Sequence, residues 1–375
     1  MRLIKYSLEY QTNDKFCFDI VTFAQVNLLV GDSGTGKTRF LNSLFNFFTQ
    51  LVSDKVLFNG KWDVDFESNR IIYNYKLYVT PSVKTPREKM IVSETLTKNE
   101  IALFRRENGT ITWNDMIMPK LSSDKTCFAL LEDDEIGALY ADIKKIIARR
   151  FYGDELNKNF QLGTVVSNAP NNPVPPHIKT IENLAVEPID FHNKMYILQQ
   201  ISPNNYKKTV DFIRSAFPFI IDASVQNLVK VMPNFQGALN THVFCIKEYN
   251  IDKWIVCNNI SSGMQKLFLL ILDTILLQNG GILLIDEYEN SLGVSAINFF
   301  PDLIASASQD CQFIITSHHP YIINRIPIES WKIFHRDGMN VHITSGIDLK
   351  EKYSRSRQDH FIQLINDPLY NGGIQ

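Results

Sequence analysis

The chain has little of what would place it at once. Its five cysteines in 375 residues (Cys17, Cys127, Cys245, Cys257 and Cys311) form no CxxC pair and no regular spacing. That leaves no regular disulfide framework. They sit among apolar neighbours, as in "FCF" and "VFCI", where a buried free thiol is expected, and this suits a reducing compartment. An excess of one charge is also missing: 38 basic and 40 acidic residues leave a formal net charge of −2. A dedicated nucleic-acid binder would show a basic surplus, so nucleic acid stays open as a partner without support from charge. The longest greasy run, "LFLLILDTILL", is interrupted by Asp273 and is too short to span a bilayer, so no membrane association is expected. Arg2, Lys5, Glu9, Asp14, Lys15 and Asp19 interrupt the start of the chain and leave no signal-peptide core, which points to the cytoplasm. No heptad pattern persists for three repeats, so a long coiled-coil arm is not expected.

What is present reads as an α/β protein. Hydrophobic content of 45% and charged content of 21% are those of a globular chain able to bury a large core. The N-terminus alternates like strands in "RLIKYSLEY" and "FCFDIVTF", then gives the apolar "VNLLV" and a helix from Thr38 to about Phe48. Strands follow in "RIIYNYKLYVT", "MIVSETL" and "IALFRRENGTITW", with Asn108-Gly109 marking a hairpin. Residues 1–131 therefore read as a lobe mixing a β-meander with one helix. From 132 to 247 the period turns helical, in "EIGALYADIKKIIARRFY" and "YKKTVDFIRSAF", around a proline- and asparagine-rich break at Ser167 to Pro176. This is read as a compact, mostly helical insertion. Residues 248–345 alternate regularly: strand "WIVCNNI", helix "SSGMQKLFLLILDTILLQ", strand "GGILLIDEYEN", helix "AINFFPDLIASAS", strand "CQFIITSHHPYIIN". Continuously apolar strands alternating with helices imply a parallel sheet covered on both faces. Residues 346–375 form a tail.

Four stations carry chemistry. The first is "GDSGTGKT", Gly31, Asp32, Ser33, Gly34, Thr35, Gly36, Lys37 and Thr38, with Arg39 next in the helix. It matches G-x-x-x-x-G-K-[ST] between a strand and a helix. Glycines let successive N–H groups curl toward a phosphate, and the helix start adds partial positive charge. Lys37 suits the β- and γ-phosphates of a nucleotide, and the Thr38 hydroxyl suits Mg²⁺. The second is "GILLIDEYENSLG", which places Asp286 and Glu287 where ligands of parallel sheets bind. Asp286 fits a hold on Mg²⁺, and Glu287 fits polarisation of the water that attacks a γ-phosphate. The third is "NNISSGMQKLFLL", in which Ser261, Ser262 and Gly263 start a helix with free N–H groups, either as a plain serine cap or as a second anion site. One chain has one γ-phosphate, so a second anion site makes sense when two copies face each other. The fourth is "FIITSHHPYIIN", where His318 or His319 at a strand end can donate to a γ-phosphate oxygen.

In this order the stations resemble the ABC-type ATPase heads of the SMC, RecF and OLD-like group. Ile260-Ser261-Ser262-Gly263-Met264 stands for the signature, Asp286-Glu287 for Walker B, Asn290, Ser291 and Leu292 for the D-loop, and His318 for the switch histidine. The resemblance implies a P-loop NTPase head, ATP and Mg²⁺ as ligands, and a homodimer or higher oligomer sandwiching two ATPs. In it Ser261 and Gly263 contact the opposite γ-phosphate. The wording "DEYENSLG" with "TSHHPYIIN" is further similar to small ATPases of bacterial anti-phage systems, which pair with a separate effector such as a nuclease or toxin. The signature carries serine for its first glycine and methionine for its glutamine, and Gly293 replaces the usual D-loop aspartate. No glutamine occurs from Leu51 to Phe160, so Glu94 is the stand-in for the Q-loop residue, in that family a metal and water ligand, and turnover is expected to be slow. A RecF- or SMC-like ATPase that binds DNA through "KKIIARR" (Lys144 to Arg150) is the alternative reading, with a transporter cassette and a vestigial P-loop behind it.

Overall fold

The computed structural model describes residues 1–10, 16–82, 87–149, 155–160, 174–234, 241–290, 292–353 and 360–371. The expected Ser167–Pro176 break lies mostly outside them. Contacts divide the chain into two units: residues 1–148, 280–286 and 312–375, and residues 149–279 and 287–311.

In the first unit the strands Ile282–Ile285, Gln312–Thr316, Val26–Val30 and Trp331–Asp337 lie side by side, all parallel. Ile282–Ile285 and Gln312–Thr316 are buried at every position, the reason they carry no polar alternation. Asn340–Ser345 turns back against Trp331–Asp337, and Ile146–Arg149 adds an edge beside Ile282–Ile285. Here the sequence reading needs correction. The helix expected through Tyr152 covers Asp134–Lys144, and Ile146–Arg149 is a strand. A β-branched pair, Ile146-Ile147, reaches the sheet edge, and pairing overrides the helical period.

The meander is one antiparallel sheet running from Arg2–Glu9 through Gly60–Ser68, Ile71–Pro81, Lys89–Lys98, Ile101–Glu107 and Thr110–Trp113 to Met116–Met118. Its turns share a device. Asn69-Arg70, Asn99-Glu100, Asn108-Gly109 and Asn114-Asp115 all have positive φ at both residues, the mirror-image turn that suits strand twist. Asparagine leads each, since its short amide tolerates the left-handed region. The inner face packs Tyr6, Trp62, Phe66 and Tyr75 against Phe40, Leu44 and Phe47 of the helix Lys37–Leu51. Gln312 pins this sheet to the parallel one: its amide accepts from Leu3 N–H (2.8 Å) and donates to the carbonyls of Leu3 (2.9 Å) and Ala24 (2.8 Å).

The second unit holds an antiparallel sheet, Ile220–Asn227, His242–Glu248 and Ile255–Val256, with helices Phe191–Ile201, Pro203–Ala216, Ser262–Leu276 and Val294–Ala307. The segment read as a mostly helical insertion therefore contributes two strands of this sheet, and its first residues belong to the other unit. The strand expected over "WIVCNNI" is short and passes into a 3-10 turn at Cys257–Asn259. Phe268 on Ser262–Leu276 gathers Phe191, Phe217 and Phe244 around it. Arg149 holds buried Asp273 on the same helix through two bonds of 2.6 and 3.0 Å.

Candidate nucleotide site

The glycine loop leaves the strand Val26–Val30 and enters the helix Lys37–Leu51 with Gly36 at the cap, in the left-handed region (φ 100°). Gly31 (φ 152°) has no room for a side chain, because a Cβ would lie 2.5 Å from the Phe334 carbonyl oxygen. The neighbouring strand thus runs tight against the loop, and glycine is what permits it. Lys37 is buried, and its ammonium donates to the carbonyls of Gly31 and Asp32, both at 2.8 Å. The Thr35 hydroxyl donates to the Asp32 carbonyl (2.8 Å), and the Asp32 carboxylate accepts from Ser33 N–H (2.7 Å).

Asp286 lies beside this loop. Its Oδ1 accepts from the Thr38 hydroxyl at 3.1 Å and from the Thr316 hydroxyl at 2.8 Å. The register explains the second bond: Ile285 pairs with Ile315, so the next residues of the two strands, Asp286 and Thr316, come abreast. Thr316 was not singled out from sequence. A hydroxyl at the last position of an apolar strand is its signal, but only the register gives it meaning. Thr38 and Asp286 fit a Mg²⁺ ion that takes a hydroxyl, a carboxylate through water and phosphate oxygens. Among the described residues no three His, Cys, Asp or Glu side chains cluster as a metal site of their own.

The two histidines separate. His319 caps the short helix Pro320–Arg325, its Nδ1 accepting from Tyr321 N–H at 3.3 Å. His318, half-buried, makes no such cap. Arg39 lies over the Phe16 ring (4.1 Å to its centroid), and Arg336 is also near that ring (5.0 Å). A cavity of about 310 Å³ runs along the same helix, lined by Phe16, Arg39, Asn42, Asn46, Asn59 and Trp62. The short helix Pro368–Asn371 packs on the strand Trp331–Asp337. Burial, helped by the Asp32 charge, raises the Tyr370 phenol.

Glu94 does not fit the metal-ligand role. Its buried carboxylate accepts from the Tyr75 hydroxyl (2.5 Å) and Cys127 N–H (2.7 Å) and pairs with Arg106 at 3.4 Å. Burial raises its pKa against the opposing pull of Arg106. This carboxylate is committed to the meander core.

In the second unit Ser261 caps Ser262–Leu276, its hydroxyl accepting from Met264 N–H at 3.4 Å. Ser261 and Ser262 are exposed, and Gly263 is buried. Glu287 is exposed and left-handed (φ 47°), a conformation uncommon for a residue with a side chain. Asn290 is exposed and Leu292 half-buried, while Ser291 lies outside the described residues.

Comparison with known proteins gives a consistent picture. Residues 149–324, just under half of the chain, match the family AAA_21, described as "AAA domain, putative AbiEii toxin, Type IV TA system". No curated protein sequence matches the chain. Among solved structures, the SMC head bound to the C-terminal winged-helix domain of ScpA aligns with a TM-score of 0.56 at 14% identity, over 92% of this chain and 98% of the other. The Pyrococcus furiosus Smc head, bound to the C-terminal domain of ScpA, aligns with a TM-score of 0.54 at 12% identity, over 94% and 99%. At such identities the likeness speaks for fold. No helix of the described residues is long and apolar enough to cross a membrane. The chain has the fold of SMC head domains, and over residues 149–324 it resembles the AAA domains of AbiEii type.

Proposed function

We propose that this protein is an ATP-binding and hydrolysing switch subunit that closes head-to-head with a second copy around ATP and controls a separate effector in bacterial anti-phage defence. One observation carries the nucleotide reading. The Thr38 and Thr316 hydroxyls converge on one oxygen of Asp286, directly beside the loop that buries Lys37. Burying a carboxylate with two hydroxyls at apolar strand ends is costly to desolvate, which favours a ligand-binding role.

On this reading Lys37 and the loop N–H groups hold the β- and γ-phosphates, and Arg39 and the cavity beside it face the nucleoside. Mg²⁺, held by Thr38 and Asp286, would neutralise charge on the phosphate oxygens. Glu287 accepts a proton from the attacking water as the bond from the γ-phosphorus to the bridging oxygen breaks, leaving ADP and phosphate. His318 donates to a γ-phosphate oxygen. Ser261, Ser262 and Gly263 offer hydroxyls and N–H groups to the other copy's nucleotide. Because those charge-assisted bonds exist only when two heads are closed, ATP shifts the open–closed balance. Effector control rests on the AbiEii-type description of residues 149–324, and the reading supposes a cytoplasmic protein.

The SMC-head fold keeps a DNA-binding reading in view, but the described basic residues of its stretch have neighbours of their own. Lys144 lies over Tyr140, Lys145 pairs with Asp142, and Arg149 pairs with Asp273.

The test is Glu287→Gln, which should bind ATP, lose hydrolysis by roughly a hundredfold or more, and run as a dimer on sizing with ATP and Mg²⁺. A Glu287→Gln protein that stays monomeric at saturating ATP refutes the sandwich.

A further inference from the structure

Lys266 is the one fully buried lysine of the helix Ser262–Leu276 (0% exposed), placed one turn past the serine-led tip. Its ammonium donates to the carbonyl of Glu287 at 3.0 Å and to that of Asn290 at 2.8 Å. The same Glu287 carbonyl accepts from Asn290 N–H at 3.0 Å, so the lysine closes over a turn that is already hydrogen-bonded. Next to it, Gln265 donates to the carbonyls of Cys257 (3.0 Å) and Asn258 (3.3 Å) in the segment leading to the tip. Consecutive side chains of one helix thus grip the chain before the tip and the chain after the carboxylate strand. On its far side the turn is fixed by Tyr288, stacked on Phe300 at 3.7 Å, with its hydroxyl donating to the Ala296 carbonyl at 2.8 Å.

A buried ammonium is costly to desolvate, and an apolar residue would fill the same space. These bonds fall on the backbone of the residue proposed as general base and of the first D-loop residue. Glu287 holds an uncommon left-handed backbone, so the direction of its side chain depends on what fixes that peptide plane. A helix is stiff over one turn, so a displacement at Ser261 reaches the Lys266 ammonium nearly undamped.

We propose that Lys266 is a positioning residue that ties the aim of Glu287 to the serine-led tip. An anion gripping Ser261 shifts the helix, and Lys266 carries that shift to the Glu287 and Asn290 carbonyls, making hydrolysis conditional on engagement by a second copy. This rests on the proposed ATPase reading and adds a coupling route to it.

The test compares Lys266→Met and Lys266→Arg in the full chain with Glu287→Gln. Lys266→Met should keep ATP affinity and KM within about twofold and lower kcat by roughly tenfold or more, since a misaimed base loses most of its effect. Lys266→Arg, which still donates to carbonyls, should recover most of the rate. Hydrogen exchange adds a readout that stability alone does not move: ATP should protect the amides of residues 287–290 in the wild type and in Lys266→Arg, but not in Lys266→Met. If Lys266→Met does not fold, the arginine variant decides, by its rate and by whether ATP still protects those amides. Normal kcat in Lys266→Met, unchanged protection by ATP, or an inactive Lys266→Arg of wild-type stability overturns the coupling. A wild type that hydrolyses no ATP overturns the ATPase reading instead, and hydrolysis that Glu287→Gln leaves intact removes Glu287 as its base.

Discussion

Two long helices of this molecule begin where an anion is expected, and they are finished to different degrees. Lys37–Leu51 starts inside a closed glycine loop: Lys37 is only 6% exposed, and Thr38 already bonds Asp286. Ser262–Leu276 starts with Ser261 and Ser262 facing solvent, its cap a single long bond to Met264 N–H. Both starts offer N–H groups and positive dipole ends. The first gathers its lysine, hydroxyls and carboxylate from one chain. The second offers little beyond the tip, which suits a partner that brings the rest.

The largest expected effect breaks this contrast directly. Lys37→Ala removes the cation from the closed start, which should cost on the order of 3 kcal/mol of ATP binding, roughly a hundredfold, by calorimetry. Ser261→Arg should leave the affinity of a single chain within about twofold while abolishing ATP-dependent dimers in light scattering. Equal losses of affinity in both variants would merge the two starts into one site and end the contrast.

A smaller effect sharpens it at the switch. His318→Ala should slow hydrolysis by about tenfold or more, whereas His319→Ala should cost up to about 1 kcal/mol of stability through its lost cap and leave hydrolysis alone. The reverse pattern would make His319 the sensor.

The smallest effect concerns the unit that carries the serine-led helix. His192 accepts from Phe244 N–H, and Phe244 packs on Phe268 of that helix. Burial pushes the His192 pKa down to about 4. The unfolded chain takes this proton near pH 6.5, so it binds more protons than the folded chain as pH falls toward 4. Stability therefore drops in that window, by about 1 kcal/mol between pH 7 and 5.5. Urea unfolding at the two pH values should show the drop, and His192→Gln should flatten it; equal slopes would remove His192 as the cause.

Much of this was legible from residues alone. The glycine loop, the apolar strand ending in Asp286-Glu287 and the serine cap follow from local rules and stand where the sequence put them. The misses have physical reasons. "KWDVDFES" alternates and is a strand, but it lies between two stronger signals and was passed over. Three of the four mirror-image turns lack glycine, so only Asn108-Gly109 announced itself. Ile146–Arg149 joined the sheet through pairing that no local period reports. Glu94 was offered as a metal ligand for want of a glutamine, and only the fold reveals Arg106 and Tyr75 around it. Thr316 needed the strand register before its hydroxyl meant anything.

The Lys37 ammonium rests on two carbonyls of its own loop. On the proposed reading an incoming anion would have to draw that cation off oxygens it already satisfies, so a lone inorganic phosphate would gain little by arriving, whereas a polyphosphate tail would repay the exchange at several oxygens together. Such a loop would screen its visitors by chain length before any base is read.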